Sequence, residues 1–312
     1  MTESSKKLGA NEPFHNVLAA VDLTAISDRV LGRVALLPLA EGARVTLLHV
    51  VPSGLPARAR DRAEKDAMKT LTEEADHIAS ALPPGVSITK VVKVGSSAAE
   101  IVACAAAKKV DLVVMGRGNN RALRDTFLGS TAERVMRNGQ LPVLAVRQAP
   151  RAVYRQPAVA VDLRPGSSDV LAWTMRLLPR PRPRVTTIHA YDTPYRGLIY
   201  SSLPEEDAEE WRNELGHEVT QQLTQLLAVA LKQAKLSQDE APRWKSHVRC
   251  GSARLVIANA VKRASSDLLV LGTAGHSGPA RILLGTVAGD VLREVECDVL
   301  VVPVKRSLKD LE

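Results

Sequence analysis

Gly272 and Gly275, followed after nine intervening residues by Gly285 and Thr286, are the residues of this 312-residue chain whose spacing most plainly suggests chemistry. The first pair comes directly after the apolar run "DLLVLG", and the second opens a helical pattern. Glycine permits positive φ and close backbone approach, so successive N–H groups in such a loop can be aimed at anionic oxygens. A helix start adds unpaired N–H groups and the positive end of a dipole, and the Thr286 hydroxyl adds a donor. Together they describe a cradle for a polyphosphate. The same residues also suit a tight turn and an N-cap, so the surrounding elements must decide.

Those elements occur twice. "VLAAVDLT" around Asp22 recurs as "VAVDLR" around Asp162, and "RVTLLHV" ending at Val50 recurs as "RVTTIHA" ending at Ala190, both 140 residues on. "VGSSAAEIVACAAAKKVDLVVMG" matches "CGSARLVIANAVKRASSDLLVLG" at an offset of 156, as "FLGSTAERVMRNGQLPVLAVR" matches "LLGTVAGDVLREVECDVLVVPV". The second copy therefore carries 16 extra residues between His189 and Gly251. Register kept everywhere else implies two copies of one fold.

Within each copy, short β-branched runs alternate with Ala-rich amphipathic segments, the pattern of parallel strands joined by crossover helices. The spacing predicts strands near 16–21, 44–50, 87–94, 111–115 and 142–147, with helices near 27–38, 56–81, 97–109 and 130–138. The second copy repeats this with strands near 157–162, 184–190, 244–249, 267–271 and 298–304, and a longer second helix from about Pro204. Near-continuous apolar runs such as "DLVVMG" and "DLLVLG" are strands covered on both faces. In such a sheet ligands sit beyond the strand carboxyl ends, where the winding reverses. Asp22 and Asp162 close the first strands at that edge, where each serves equally well as a helix cap. The expected boundaries are a tail at 1–13, domains at 14–148 and 157–306, a linker at 149–156 and a tail at 307–312.

With 45% hydrophobic but 3% aromatic residues, the core must be aliphatic, as α/β proteins allow. The net charge of +8 is spread over both halves without aromatic residues to stack bases, so no specific nucleic-acid partner is expected. "RPRPRV" from Arg180 reads as a Pro-stiffened loop entering a strand. Cys104, Cys250 and Cys297 form neither a CxxC nor a disulfide framework. With no signal-like apolar core and no transmembrane run, the expected compartment is cytoplasmic.

Both copies resemble the universal stress protein family, and the whole chain resembles its tandem members. The residues that carry the resemblance are Gly272, Gly275, Gly285 and Thr286, the first-strand Asp162, the "IHA" ending at Ala190 and the closing "CDVLVVPV". The resemblance implies an α/β fold of two tandem Rossmann-like domains of the HUP, adenine nucleotide alpha hydrolase-like group. Each would be a five-stranded parallel doubly wound sheet with helices on both faces. It also implies ATP as ligand, with Mg²⁺ as a companion. Asp162 and Ala190 would meet the adenine and ribose, and Gly272, Gly275, Gly285, Thr286 and Val287 the ribose and phosphates. In the first copy Asp22, Val50, Gly116, Gly129, Ser130 and Thr131 match, but Asn119 replaces the second glycine. Ser130 and Glu133 there form an SxxE capping box that can satisfy the helix start internally, whereas Gly289 stands in Glu133's place in the second copy. The second copy is therefore expected to be the tighter site. Edge pairing in the family implies that "LPVLAVR" and "CDVLVVPV" lie side by side as an intramolecular pseudo-dimer, with a homodimer as a further option.

No GxxxxGK[ST] or GxSxG pattern is present to place a phosphoryl-transfer lysine or a nucleophile. His49 and His189 read as packed strand-end residues, and Arg117, Arg121, Arg124, His276 and Arg281 as loop charges within reach of phosphates. Three functions remain open: an ATP-binding stress or regulatory protein, an interaction scaffold that holds no nucleotide, and a weak ATPase or phosphotransfer enzyme. The acidic helix from Glu205 to Glu218 reads as a solvated face or a partner surface.

Overall fold

The segment FHNVLAA folds as β1 (Phe14–Ala20), whose Val17, Leu18 and Ala19 are buried. Consecutive apolar residues can all be buried only in a strand covered on both faces. The structure, a computed structural model, describes residues 9–117, 130–138, 140–164, 166–192, 205–273 and 284–304. After β1 the chain runs through α1 (Ala25–Ala35), β2 (Leu39–Pro52), α2 (Ala57–Ala79), β3 (Ser87–Gly95), α3 (Ser97–Ala107), β4 (Leu112–Gly116), α4 (Ser130–Asn138) and β5 (Val143–Val146). These five strands are parallel in the order β3-β2-β1-β4-β5, so the winding reverses between β1 and β4. The Thr24 hydroxyl accepts from the Ile26 N–H at 3.3 Å, which starts α1 two residues before the periodicity suggests. β2 starts five residues early because "LAEGA" enters it through a register shift, with Gly42 at φ 68°.

The second copy contributes β6 (Pro157–Ala160), α5 (Ser167–Leu177), β7 (Val185–Tyr191), α6 (Glu205–Ala234), β8 (Trp244–Cys250), α7 (Ala253–Arg263) and β9 (Leu268–Gly272). Its four strands are parallel in the order β9-β6-β7-β8. At 30 residues, α6 outruns the 23 of α2 and accounts for part of the longer connection, of which residues 193–204 lie outside the described residues. "RPRPRV" does more than stiffen a loop. Arg180 donates to the Asn11 carbonyl at 2.7 Å, and Arg182 to the Ala10 carbonyl at 3.1 Å, while Arg176 donates to the Glu12 carbonyl at 2.9 Å. Residues 10–12 are held by main-chain acceptors, which no sequence pattern announces.

The chain closes with α8 (Thr286–Glu294) and β10 (Asp298–Val302). It groups into two compact units, Pro13–Val153 with Thr273–Glu312, and Met1–Glu12 with Tyr154–Gly272. In the first of these, β10 runs antiparallel to β5, pairing Val299 with Ala145, Leu300 with Leu144 and Val301 with Val143. Asp298 fixes the start of that strand. Its buried Oδ1 accepts from the Arg147 and Gln148 N–H groups at 2.8 and 3.1 Å, and its Oδ2 accepts from Arg33 Nε at 3.2 Å.

The duplication extends to unusual backbone. Leu23 and Leu163 take φ of 58° and 61°, and Lys109 and Ser265 take 50° and 48°. The aspartates that open "DLVVMG" and "DLLVLG" act alike: Asp111 accepts from the His15 and Asn16 N–H groups, and Asp267 from those of Arg155 and Gln156. Each ties the start of one central strand to the next. No helix among the described residues is long and apolar enough to cross a membrane.

Replacing Asp298 by Ala should cost about 3–5 kcal/mol, because the buried Arg33 would lose the carboxylate that balances its charge. Urea unfolding measures this, and a loss below about 1 kcal/mol would mean that solvent replaces the carboxylate.

Candidate functional site

The first-copy site is built at the carboxyl end of β1. The Val21 N–H still donates to the Leu48 carbonyl at 2.9 Å, but Leu23 then turns into the left-handed region. A non-glycine residue there costs roughly 1–2 kcal/mol, and the Asp22 carboxylate offsets it. Its Oδ1 accepts from the Thr24 N–H at 3.1 Å, the Thr24 hydroxyl at 2.7 Å and the Ser27 hydroxyl at 3.2 Å. All three bonds fall on one oxygen. Oδ2 has no hydrogen-bond partner among the described residues, so the side chain is held in orientation while one acceptor stays available. The cap of α1 is Thr24; Asp22 braces that cap through Oδ1 and still has an oxygen to offer. His49 Nδ1 lies 3.0 Å from the Val21 carbonyl. A carbonyl can only accept, so the neutral ring carries its proton on Nδ1 and presents Nε2 as an acceptor.

Asp22, Val50, Gly116 and Thr131, chosen from sequence as site residues, line one cleft of about 240 Å³. Its walls also include Ile26, Val30, Ile101 and Met115, with Ser27, His49, Ser97 and Arg117 as polar lining. Apolar walls with a few polar groups are the usual make-up of a small-molecule site, and the volume falls just under the ~300 Å³ lower end for such sites. The sequence reading missed Ser27, although its counterpart Ser167 stands at the same distance from Asp162, so the repeat itself carried the signal. Ser130 opens α4 as expected, and Glu133 accepts from Arg137 Nη2 at 2.6 Å. Gly129, Asn119, Arg121 and Arg124 lie outside the described residues.

Gly116 has a packing reason of its own. A Cβ at that position would stand 2.4 Å from Ile26 Cγ2, so the glycine admits the first turn of α1 against the end of β4. That steric demand holds whether or not a ligand approaches.

The second copy repeats the corner. Asp162 Oδ1 accepts from the Arg164 N–H at 3.2 Å and from the Ser167 hydroxyl at 2.7 Å, and His189 Nδ1 lies 2.8 Å from the Val161 carbonyl. Asp162, Ala190 and Gly272 belong to the unit of Tyr154–Gly272, with Asp162 exposed and the other two half-buried. Gly285, Thr286 and Val287 belong to the unit with Thr273–Glu312. There Gly285 is buried and donates to the Thr273 carbonyl at 3.2 Å, while Thr286 and Val287 are exposed on the first turn of α8. Its N-cap residue is Gly285, so among the described residues no side-chain hydrogen bond caps that helix, and its first turn holds no acidic residue. Gly275, His276 and Arg281 lie outside the described residues.

The sequence model of the universal stress protein family matches residues 13–147 and, a second time, residues 154–303. The chain belongs to the universal stress protein family. Among curated relatives, universal stress protein YxiE of Bacillus subtilis is 27% identical over 150 residues, 43% of this chain and 99% of its own length. Universal stress protein MJ0531 of Methanocaldococcus jannaschii is 45% identical over 64 residues, and this chain spans 38% of its length. A solved universal stress protein from Archaeoglobus fulgidus covers 95% of this chain and 98% of its own at a TM-score of 0.64. At 16% identity it attests the fold. This universal stress protein is thus a tandem of two Rossmann-like copies.

Gly116→Ala in this universal stress protein should destabilise it by about 1–3 kcal/mol, the usual cost of overpacking. Placing it on an Ile26→Ala background should recover most of the difference in thermal melting. Equal losses on both backgrounds would show that Ile26 is not the obstacle.

Proposed function

We propose that this universal stress protein acts in stress response as a regulator whose state depends on a bound adenine nucleotide, ATP. One observation carries the reading: Asp22, Val50, Gly116 and Thr131, far apart in sequence, line the same cleft. Ile26, Val30, Ile101 and Met115 offer an apolar wall to a base. Asp22 Oδ2 suits a ribose hydroxyl, since an oriented carboxylate accepts from a hydroxyl without further ordering. Arg117 and the first turn of α4 offer a cation and helix N–H groups to phosphates.

In the second copy the proposal rests on the full spacing Gly272, Gly275, Gly285, Thr286, together with Asp162, Ala190 and Val287. The first turn of α8, which has Gly289 where α4 has Glu133, supports ranking that copy as the tighter site. Among the described residues no three His, Cys, Asp or Glu side chains gather to hold a metal ion. Magnesium would therefore be held chiefly by the phosphates, and the protein would supply their orientation. The antiparallel pairing of β5 with β10 supports an intramolecular pseudo-dimer in place of one between two chains.

Calorimetric titration with ATP tests the reading through the two aspartates. Each of Asp22→Ala and Asp162→Ala should weaken its own site by roughly 10- to 100-fold, the worth of a hydrogen bond to a charged group. At ATP concentrations near the wild-type Kd, occupancy should fall from two nucleotides per chain to about one in either variant and to near none in the double variant. Unchanged titrations in the double variant would refute the proposal.

A further inference from the structure

The parallel ladder of β1 with β2 stops at Ala20 and Leu48, and beyond it the Val21 N–H still donates to the Leu48 carbonyl at 2.9 Å. Bonds in a parallel ladder run alternately from one strand and then from the other, so a continuing ladder would next bring the Val50 N–H to the Val21 carbonyl. The His49 ring takes that carbonyl, donating from Nδ1 across 3.0 Å. The second copy does the same within its own unit. Its ladder stops at Ala160 and Ile188, the Val161 N–H donates to the Ile188 carbonyl at 3.0 Å, and His189 Nδ1 donates to the Val161 carbonyl at 2.8 Å. The replacement of a main-chain donor by a ring donor is thus copied with the fold.

Packing alone does not ask for an imidazole at this place. An aliphatic side chain would fill the strand end as well, and the ladder would then satisfy the carbonyl. What the ring changes is which group is left over. With the Val21 carbonyl occupied, the Val50 N–H is released from the ladder at the rim of the cleft that Asp22, His49 and Val50 line together. A main-chain donor on a strand is directed before any ligand arrives, so it can meet a ring nitrogen of a base at little cost in ordering. The pinned carbonyl also belongs to the residue just before Asp22, and Asp22 Oδ1 is held by Thr24 and Ser27 just after it. The ring and those hydroxyls together fix the aspartate on the chain from both directions.

We infer that His49 is a positioning residue for ligand recognition in the first cleft: by occupying the Val21 carbonyl it leaves the Val50 N–H as a donor for a base and holds Asp22 for a ribose hydroxyl. His189 acts likewise on the Ala190 N–H and Asp162. That role rests on the proposed reading of the cleft as a nucleotide site, but its first step, the release of one main-chain donor, holds or fails without any ligand.

The test uses the full chain with isotope-labelled valine and leucine, so that nuclear magnetic resonance reports the first cleft by residue. Without ligand, the Val50 amide should exchange with solvent at least about tenfold faster than that of Leu48, which is paired in the ladder. Equal protection of the two amides would overturn the inference outright. ATP should slow exchange at Val50, and the Kd followed at its resonance should rise about tenfold in His49→Leu, the worth of roughly one hydrogen bond. His49→Asn should stay within about threefold of wild type, because its amide nitrogen stands near the place of Nδ1 and still donates. Equal losses in the Leu and Asn variants would mean that the ring meets the ligand directly through Nε2, and no loss in either that it only packs; both results overturn the inference. A fast Val50 amide that ATP leaves unperturbed in the wild type would instead defeat the nucleotide reading of this cleft, and the positioning role with it. If the Leu variant unfolds, His49→Gln takes its place, since the longer amide reaches the position of Nε2 and not that of Nδ1.

Discussion

Parallel strands cannot turn straight back on themselves, so each must be followed by a crossover that returns the chain to its starting end. β1, β2 and β4 therefore finish at one edge, and whatever follows them is gathered there however far apart it lies in sequence. Asp22, Val50 and Gly116 meet for this reason alone. The order reverses between β1 and β4, and a cleft lies at the edge where those two strands end. The ligand reading of this universal stress protein depends on that constraint more than on any single side chain.

The corner after β1 shows how such an edge is held. Leu23 and Leu163 adopt a backbone region unfavourable to branched side chains, in both copies and within a few degrees. Each is preceded by an aspartate that returns the cost through hydrogen bonds to the start of the next helix. Strain and compensation are inherited together, which is why the repeat survives where side chains such as Thr24 and Arg164 have diverged. Asp22 does not itself cap α1 but braces the capping Thr24 with one oxygen, which leaves the other as an acceptor.

Asp298 and Arg147 represent a different kind of device. Two arginines and a carboxylate are buried together where a hydrophobic cluster would have been more stable. A carboxylate that takes two main-chain N–H groups and one guanidinium holds the start of β10, and a guanidinium that donates to the Val295 and Leu292 carbonyls holds the end of α8. The antiparallel join of β5 and β10 has this polar anchor at one end, in place of the crossover that a parallel neighbour would need.

The alternation of strands and helices, the start of α8 and four of the residues lining the first cleft were legible in the sequence. Apolar runs mark strands buried on both faces, Gly285-Thr286 marks a helix start, and a repeat at fixed offset doubles every clue. The five-residue extension of β2 was not legible, since "LAEGA" reads as a loop until β1 lies beside it. Nor were the partners of the arginines of "RPRPRV" or of Asp298, because these are main-chain carbonyls that accept and N–H groups that donate, about 150 residues or more away. Every residue has such groups, so no pattern of side chains can single them out. The sequence alone determined which elements form and which edge they share. Only the tertiary structure decided which main-chain groups the buried charges would meet, since that choice depends on packing between distant segments.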